Sequence, residues 1–129
     1  MLGNTQAFSS FAVDDLDAAK RFYGETLGIE VTPEEMGILT LQLAGDRPTM
    51  VYPKPDFTPA TYTILNFLVD DVEKAVDELT ARGVSFERYD GFGQDEKGIA
   101  RQDDGPSAIA WFKDPAGNIL AVLEMSLSG

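Results

Sequence analysis

Residues 11–17, with the sequence FAVDDLD, return further along the chain as residues 67–73, FLVDDVE. Each copy ends a run of alternating apolar residues, which is typical of a strand, and begins a run with the apolar spacing of a helix. The likeness continues, because LGI at 27–29 and RGV at 82–84 close the two helical runs. A unit that occurs only twice indicates a duplicated supersecondary structure, since a solenoid needs three or more repeats.

The composition is that of a globular protein with an unusual charge. The chain has 129 residues, of which 43% are hydrophobic, and a formal net charge of −12 at pH 7. That charge disfavours non-specific binding to nucleic acid or to an anionic membrane, and it attracts cations. No apolar run reaches the roughly 18 residues of a membrane-spanning helix, and the N-terminus has no basic-then-apolar signal pattern. We therefore expect a cytoplasmic protein with no nucleic-acid or membrane partner.

Cysteine and histidine are both absent from the sequence. No disulfide can form, and neither thiolate nor imidazole is available as a metal ligand. The commonest general base near neutral pH is also missing. Any metal site would therefore have to consist of oxygen ligands.

The first copy, residues 5–53, has the pattern of a βαβββ module. Residues 6–13 alternate as a strand, and Asp15 is placed to cap a helix. Apolar residues then recur at helical spacing until Gly28 supplies a stop. Three further strands are predicted at residues 29–31, 38–43 and 49–52.

The second copy, residues 61–126, follows the same plan after a proline-containing linker at 54–60. Strand 62–69 leads to a helix that Asp71 caps and Gly83 ends. Three more strands are predicted at residues 84–89, 107–113 and 119–124, the last two joined by the turn DPAGN at 114–118.

Residues 90–106 interrupt the symmetry between the copies. They contain four glycines and five carboxylates but few apolar positions, which predicts a long loop. A solvated connection is the simpler interpretation, and a lid over a binding site is the alternative. The tail, residues 125–129, should fray.

These motifs, in this order, resemble the vicinal oxygen chelate superfamily of glyoxalase I, extradiol dioxygenases, fosfomycin-resistance enzymes and bleomycin-resistance proteins. The resemblance covers residues 8–124. It is carried by VDDL at 13–16, FY at 22–23, LG at 27–28, VDDV at 69–72 and DPAGN at 114–118. It implies an α+β fold, a single domain over residues 1–129, in which two βαβββ modules form curled mixed sheets around a concave cup.

Metal-dependent members of the family place one metal ligand on each of four strands. Offsets from the capping aspartates and from the closing turn match three of these positions to Phe8, Ile64 and Ala121, and the family's fourth ligand, on the last strand of the first module, falls near Val51. All four side chains are apolar and offer no donor to a divalent ion. We therefore expect no metal and no other cofactor.

The resemblance and the strand alternation together predict a ligand-binding cup. Its predicted residues are Phe8, Ser10, Tyr52, Ile64, Asn66, Leu68, Trp111 and Ala121. The pattern does not fix which face carries Tyr52 or Trp111. Apolar and aromatic walls with a few hydrogen-bonding groups suit a flat organic ligand, although the same side chains also suit a filled core.

The sequence is closest in character to bleomycin-resistance proteins, a likeness that implies metal-independent binding of an aromatic or cationic small molecule such as an antibiotic. The alternative is an enzyme, a metal-free lyase or isomerase that uses Tyr52, Tyr62 or a carboxylate. A second alternative is a non-catalytic scaffold. We assign no catalytic residue from the sequence.

We expect a homodimer, because a two-module chain leaves sheet edges and one rim of the cup to be covered. Sedimentation equilibrium at micromolar concentration should give twice the mass of one chain. The mass of a single chain would contradict the dimer.

Overall fold

The computed structural model describes residues 1–35, 37–101 and 107–124, which fall into two compact units, Met1–Pro59 and Ala60–Gly129. Each unit contains a four-stranded mixed sheet and one principal helix. None of the helices in the described ranges is long and apolar enough to cross a bilayer.

The first unit has its strands in the order β1-β4-β3-β2. Strand β1 runs parallel to β4, and the other neighbours are antiparallel. A 3-10 turn at Leu2–Asn4 comes first, and a π-helical turn at Phe22–Thr26 extends the helix. The elements are β1 (Ser9–Val13), α1 (Leu16–Arg21), β2 (Glu30–Glu34), β3 (Ile38–Leu43) and β4 (Arg47–Pro53).

The second unit repeats this arrangement, with the strand order β5-β8-β7-β6. Strand β5 runs parallel to β8, while β7 is antiparallel to both of its neighbours. The elements are β5 (Thr63–Leu68), α2 (Val72–Ala81), β6 (Ala100–Arg101), β7 (Ala108–Lys113) and β8 (Ile119–Glu124).

The repeated aspartates begin the two helices in the same way. The side chain of Asp15 accepts a hydrogen bond from the backbone N–H of Ala18 at 3.1 Å. Asp71 accepts the equivalent bond from Lys74, also at 3.1 Å. Each bond satisfies a donor that the first turn of a helix otherwise leaves unpaired, so both predicted N-caps are confirmed.

One face of each sheet is packed beneath the helix of its own unit. In the first unit, Val13 and Tyr23 are completely buried, and the rings of Phe11 and Tyr23 lie 5.7 Å apart. In the second unit, Phe112 and Leu120 are completely buried on the face that α2 contacts. Because side chains alternate along a strand, the residues between these core positions point to the opposite face.

The predicted strand at 84–89 is wrong. Only an isolated bridge between Phe86 and Phe112 forms there, with a backbone hydrogen bond of 2.8 Å from Glu87 N to Trp111 O. The short strand β6 lies at this edge of the sheet instead, within the stretch that we predicted to be a loop. The side-chain amide of Gln94 bonds the backbone of Tyr89 and of Glu87, so these groups are satisfied without a strand partner. Residues 102–106 and the tail 125–129 lie outside the described residues.

The predicted turn at 114–118 is confirmed and is tied together by two buried polar side chains. Asp114 and Asn118 are only 4% and 3% exposed. The Asp114 carboxylate accepts from the Asn118 backbone N–H at 2.8 Å and from its side-chain amide at 3.2 Å. The Asn118 side-chain oxygen accepts from Ala60 N at 3.1 Å. This turn therefore fixes the β7–β8 hairpin and the start of the segment that leads into β5.

Asn118→Ala should lower the free energy of unfolding by about 1–3 kcal/mol, because it leaves the Ala60 N–H and one Asp114 oxygen without these partners. Urea unfolding measures the loss. The control is Asn66→Ala, since Asn66 is exposed on β5 and its loss should cost no more than about 0.5 kcal/mol. Equal effects of the two substitutions would contradict a structural role for the turn.

Candidate functional site

In the second unit, the sheet face opposite α2 brings together residues from three strands. Ala121 on β8 lies between Asn66 on β5 and Trp111 on β7. The register therefore places Trp111 on the same face as Ala121, which the sequence pattern left open. Trp111 is half-buried, whereas the next residue, Phe112, is completely buried on the other face.

A second row of apolar side chains lies beside the first. Leu123 on β8 lies between Leu68 on β5 and Ile109 on β7. Leu68 is 61% exposed, so this face is not closed by the second unit's own core. Ile109 was missed by the sequence prediction, although it precedes Trp111 by two positions and strand alternation puts both on one face.

A pocket of about 460 Å³ opens at this end of the face. Trp111, Ile109 and Leu123 line it from the sheet, and Phe92 lines it from the loop that precedes β6. Arg101 and Glu124 are the charged residues in its wall. The pocket thus has mainly aromatic and aliphatic walls.

Three aromatic rings form a cluster at this pocket. The ring centroids of Phe92 and Trp111 are 5.0 Å apart, and those of Tyr89 and Trp111 are 5.4 Å apart. Tyr89 and Phe92 complete the triangle at 6.2 Å, with edge-to-face geometry. These separations and tilts are the ones that the quadrupoles of aromatic rings favour. Neither Tyr89 nor Phe92 was predicted to line the cup. Tyr89 was placed in the strand 84–89 that does not form, and Phe92 lies in a loop, which carries no periodicity from which a face can be read.

The loop that carries Phe92 is held in place by its own side chains. The Gln94 amide accepts from Tyr89 N at 2.7 Å and donates to Glu87 O and Gly98 O, both at 2.8 Å. The Arg88 guanidinium donates to the carbonyls of Asp95, at 2.7 Å, and Glu96. The loop's side chains therefore bond its own backbone up to β6, while the carboxylates of Asp90, Asp95 and Glu96 remain exposed. The solvated connection and the lid both stay predictions.

Two cations attach this loop and the strand that follows it to α2. Lys97 Nζ lies 3.0 Å from both the Glu73 and the Asp77 carboxylates, and Arg101 lies 3.6 Å from Glu73. The hydrogen bonds from Lys97 to Asp77 and then to Glu73 raise the pKa of the lysine. These pairs are part-exposed, so salt should weaken them.

The charged groups of the pocket wall are both engaged with α2. The Glu124 carboxylate accepts from the backbone N–H of Val72, the first residue of α2, at 2.5 Å. Arg101 faces Glu73 as described above. The two charged side chains of the pocket wall therefore interact with α2, and the aromatic and aliphatic side chains form the rest of the wall.

The Tyr89 hydroxyl is buried, and it has no hydrogen-bond partner among the described residues. Burial raises the pKa of this phenol, the Glu87 carboxylate raises it further, and Lys113 opposes the shift. Burial and negative charge both disfavour the phenolate, so Tyr89 stays neutral at physiological pH.

The remaining predicted residues lie elsewhere. Phe8 precedes β1 and is 63% exposed. Ser10 pairs with Met50, and Ala12 pairs with Tyr52, so Tyr52 shares the open face of the first sheet with Ser10. Since Thr63 lies opposite Ile119 and Leu65 opposite Leu120, Ile64 is the extra residue of a bulge in β5.

The side chains at the family's metal-ligand positions do not fit a divalent ion. Phe8, Ile64 and Ala121 carry no oxygen or nitrogen donor in their side chains. Val51, the fourth position, is completely buried on the side of α1 and does not line the open face of the first sheet. Within the described ranges, no three carboxylates come close enough to hold a metal.

Comparison with known proteins identifies the family. The model of the Glyoxalase/Bleomycin resistance protein/Dioxygenase superfamily matches residues 6–122, and the chain belongs to this superfamily. A search of curated protein sequences gave no significant match. The match confirms the predicted family and its fold of two βαβββ modules. In the second module, the first strand after the helix is β6, which lies at Ala100–Arg101 and not at the predicted residues 84–89.

Solved structures of low sequence identity share this fold. The glyoxalase family protein from Enterococcus faecalis is 23% identical over 96% of this chain and 100% of its own, with a TM-score of 0.72. The fosfomycin resistance protein FosX from Listeria monocytogenes is 14% identical over 96% and 95%, with a TM-score of 0.74. TnmS3, an antibiotic binding protein from Streptomyces sp. CB03234, is 24% identical over 95% and 98%, with a TM-score of 0.68.

Tyr89→Phe should leave the free energy of unfolding at pH 7 unchanged or raise it by about 1 kcal/mol, because it removes a buried hydroxyl without a partner. Folding raises the Tyr89 pKa above its unfolded value of about 10. The neutral phenol therefore contributes stability at pH values below the unfolded pKa. This contribution is lost as the pH rises through the folded pKa. Urea unfolding between pH 7 and 11 should therefore show a smaller alkaline loss in the variant than in the wild type.

Tyr62→Phe is the control for this comparison, because Tyr62 is 70% exposed. It should leave the stability unchanged at pH 7. A loss of stability in Tyr89→Phe at pH 7 would mean that the hydroxyl has a partner after all.

Proposed function

We propose that this protein binds a flat aromatic small molecule, preferably a cationic one, and that it does so without a metal ion. The observation that carries the proposal is the contact between Trp111 and Phe92, 5.0 Å between ring centroids, at the wall of an apolar pocket. The residues that line the pocket all belong to the second unit.

The size and lining of the pocket support a ligand of ordinary drug size. Its volume of about 460 Å³ falls within the roughly 300–1,000 Å³ of small-molecule sites. A planar ring stacked on an aromatic side chain gains about 0.5–1.5 kcal/mol beyond the burial of its area. Trp111 is the best such surface, because the indole has the largest ring system of any side chain.

The preference for a cation rests on charge. The net charge of −12 raises the concentration of cations near the protein and speeds their association. A positive charge on the ligand is also attracted to the face of the Trp111 ring. The negative net charge therefore favours association of a cationic ligand, and the Trp111 ring slows its dissociation.

The descriptions of two structures of the same fold support a small-molecule ligand in general. TnmS3 is an antibiotic binding protein, and FosX is a fosfomycin resistance protein. At 24% and 14% identity they share the fold alone, so they suggest antibiotics as a first ligand class to try.

Metal independence rests on the side chains at the family's ligand positions. Phe8, Ile64 and Ala121 supply no donor, and a divalent ion cannot exchange its water for hydrocarbon. The proposed binding uses apolar contact and stacking, which require no Lewis acid.

Proflavine, a planar cationic dye, and a panel of planar cationic antibiotics are the ligands to test first. Trp111 is the only tryptophan in the chain, so its fluorescence reports directly on the pocket. We expect saturable quenching with proflavine, and no change in affinity after treatment with EDTA. By calorimetry, Trp111→Ala should weaken binding by roughly 5- to 160-fold, since stacking on the indole contributes on the order of 1–3 kcal/mol.

Tyr62→Ala is the matched control, because it removes an aromatic ring that is 70% exposed and does not line the pocket. It should bind as the wild type does. Failure of proflavine and of the whole antibiotic panel to bind or to raise Tm would contradict the binding function. Loss of binding in EDTA would contradict metal independence, and chemical conversion of a bound compound would favour the enzyme.

A further inference from the structure

We propose that Phe92 is the specificity-determining residue of this pocket. It lies on a short flap, residues 90–93, that covers Trp111 and closes over the ring of a bound ligand. This inference rests on the proposed function, and it adds which residue selects the ligand and controls its release.

Both ends of the flap are fixed. On the N-terminal side, Glu87 N donates to Trp111 O at 2.8 Å, and Tyr89 N donates to the Gln94 side chain at 2.7 Å. On the C-terminal side, Asp95 N donates to Ile99 O at 2.9 Å, and Ile99 is only 1% exposed. The flap therefore begins and ends at well-anchored backbone.

The flap itself is held much less strongly. Asp90 and Gly91 form a turn, and among the described residues no side chain of residues 90–93 makes a hydrogen bond. Its contacts are the rings of Tyr89 and Trp111 against Phe92. Segments with few hydrogen bonds and few buried contacts open locally at low free-energy cost.

Glycines on either side of Phe92 supply the conformational freedom for opening. Gly91 and Gly93 have φ angles of 87° and 59°, and a Cβ built on either would meet no atom within 4 Å. A side chain would fit at both positions without a steric clash, so it is the positive φ angle alone that favours glycine there. Such pairs of permissive residues are suited to a hinge.

Phe92 is positioned to act on the ligand and not on the core. It is 54% exposed although it contacts two other rings. A ligand ring seated on Trp111 would cover part of this exposed surface and give Phe92 a third aromatic partner. The separation between Phe92 and Trp111 then limits the thickness and width of the ring that the pocket accepts.

Proflavine is the probe, and its dissociation from four proteins is measured by stopped flow. Phe92→Ala should release the dye at least tenfold faster than the wild type and should accept bulkier aromatic ligands almost as well as proflavine. Gly91→Ala should release it about fivefold faster, because alanine disfavours the positive φ of the closed flap without a steric clash.

Gly83→Ala is the matched control for the glycine variant. Gly83 also has a positive φ, 93°, and no atom within 4 Å of a built Cβ, but it follows α2 and does not line the pocket. It carries the same backbone strain and should release proflavine at the wild-type rate. The Tm of Phe92→Ala should match that of the wild type, because the ring is largely exposed.

Acrylamide quenching of Trp111 in the ligand-free proteins is the second readout. Quenching should increase in Phe92→Ala and Gly91→Ala and remain at the wild-type level in Gly83→Ala. Wild-type release rates and quenching in Phe92→Ala, with binding still lost in Trp111→Ala, would overturn the flap and leave the proposed function intact. Failure of proflavine and the antibiotic panel to bind the wild type would overturn both proposals.

Discussion

The burial of Phe112 and Leu120 beneath α2 is the constraint on which the second unit depends. Both side chains are completely buried, and they face each other across β7 and β8. Because the side-chain period of a strand is two, their neighbours Trp111 and Ala121 must lie on the opposite face. A slip of one residue in β7 would put Trp111 in the core and remove the aromatic wall of the pocket. The pocket is therefore a consequence of the same register that forms the core.

The loop before β6 shows how side chains can replace a strand. Gln94 and Arg88 bond backbone groups that a regular strand would pair, and Lys97 attaches the loop to carboxylates on α2. This arrangement brings Tyr89 and Phe92 against Trp111. The second module differs from the first in this loop, and the loop also carries two rings of the aromatic cluster. Local departures from a regular fold are expected at functional sites.

The superfamily fold constrains architecture far more than chemistry. Here the capping aspartates and the 114–118 turn carry the family likeness, and they stabilise helix starts and a hairpin. The positions that the resemblance matches to metal ligands carry hydrocarbon side chains in this sequence. The charged residues of the pocket wall are engaged with a helix, which leaves apolar and aromatic side chains as the main surfaces of the pocket.

The sequence by itself determined the duplication, both helix starts, most strands and the closing turn, because short-range hydrogen bonds and strand periodicity are written in neighbouring residues. It also determined that Asn66, Leu68 and Ala121 lie on one face of the second sheet, the face opposite the one that packs against the helix. Only the tertiary structure decided the face of Trp111, the bulge at Ile64 and the place of β6, since these depend on pairing between distant strands. The positions of Tyr89 and Phe92 were decided in the same way, because a loop without periodicity takes its conformation from the side chains and strands that it contacts.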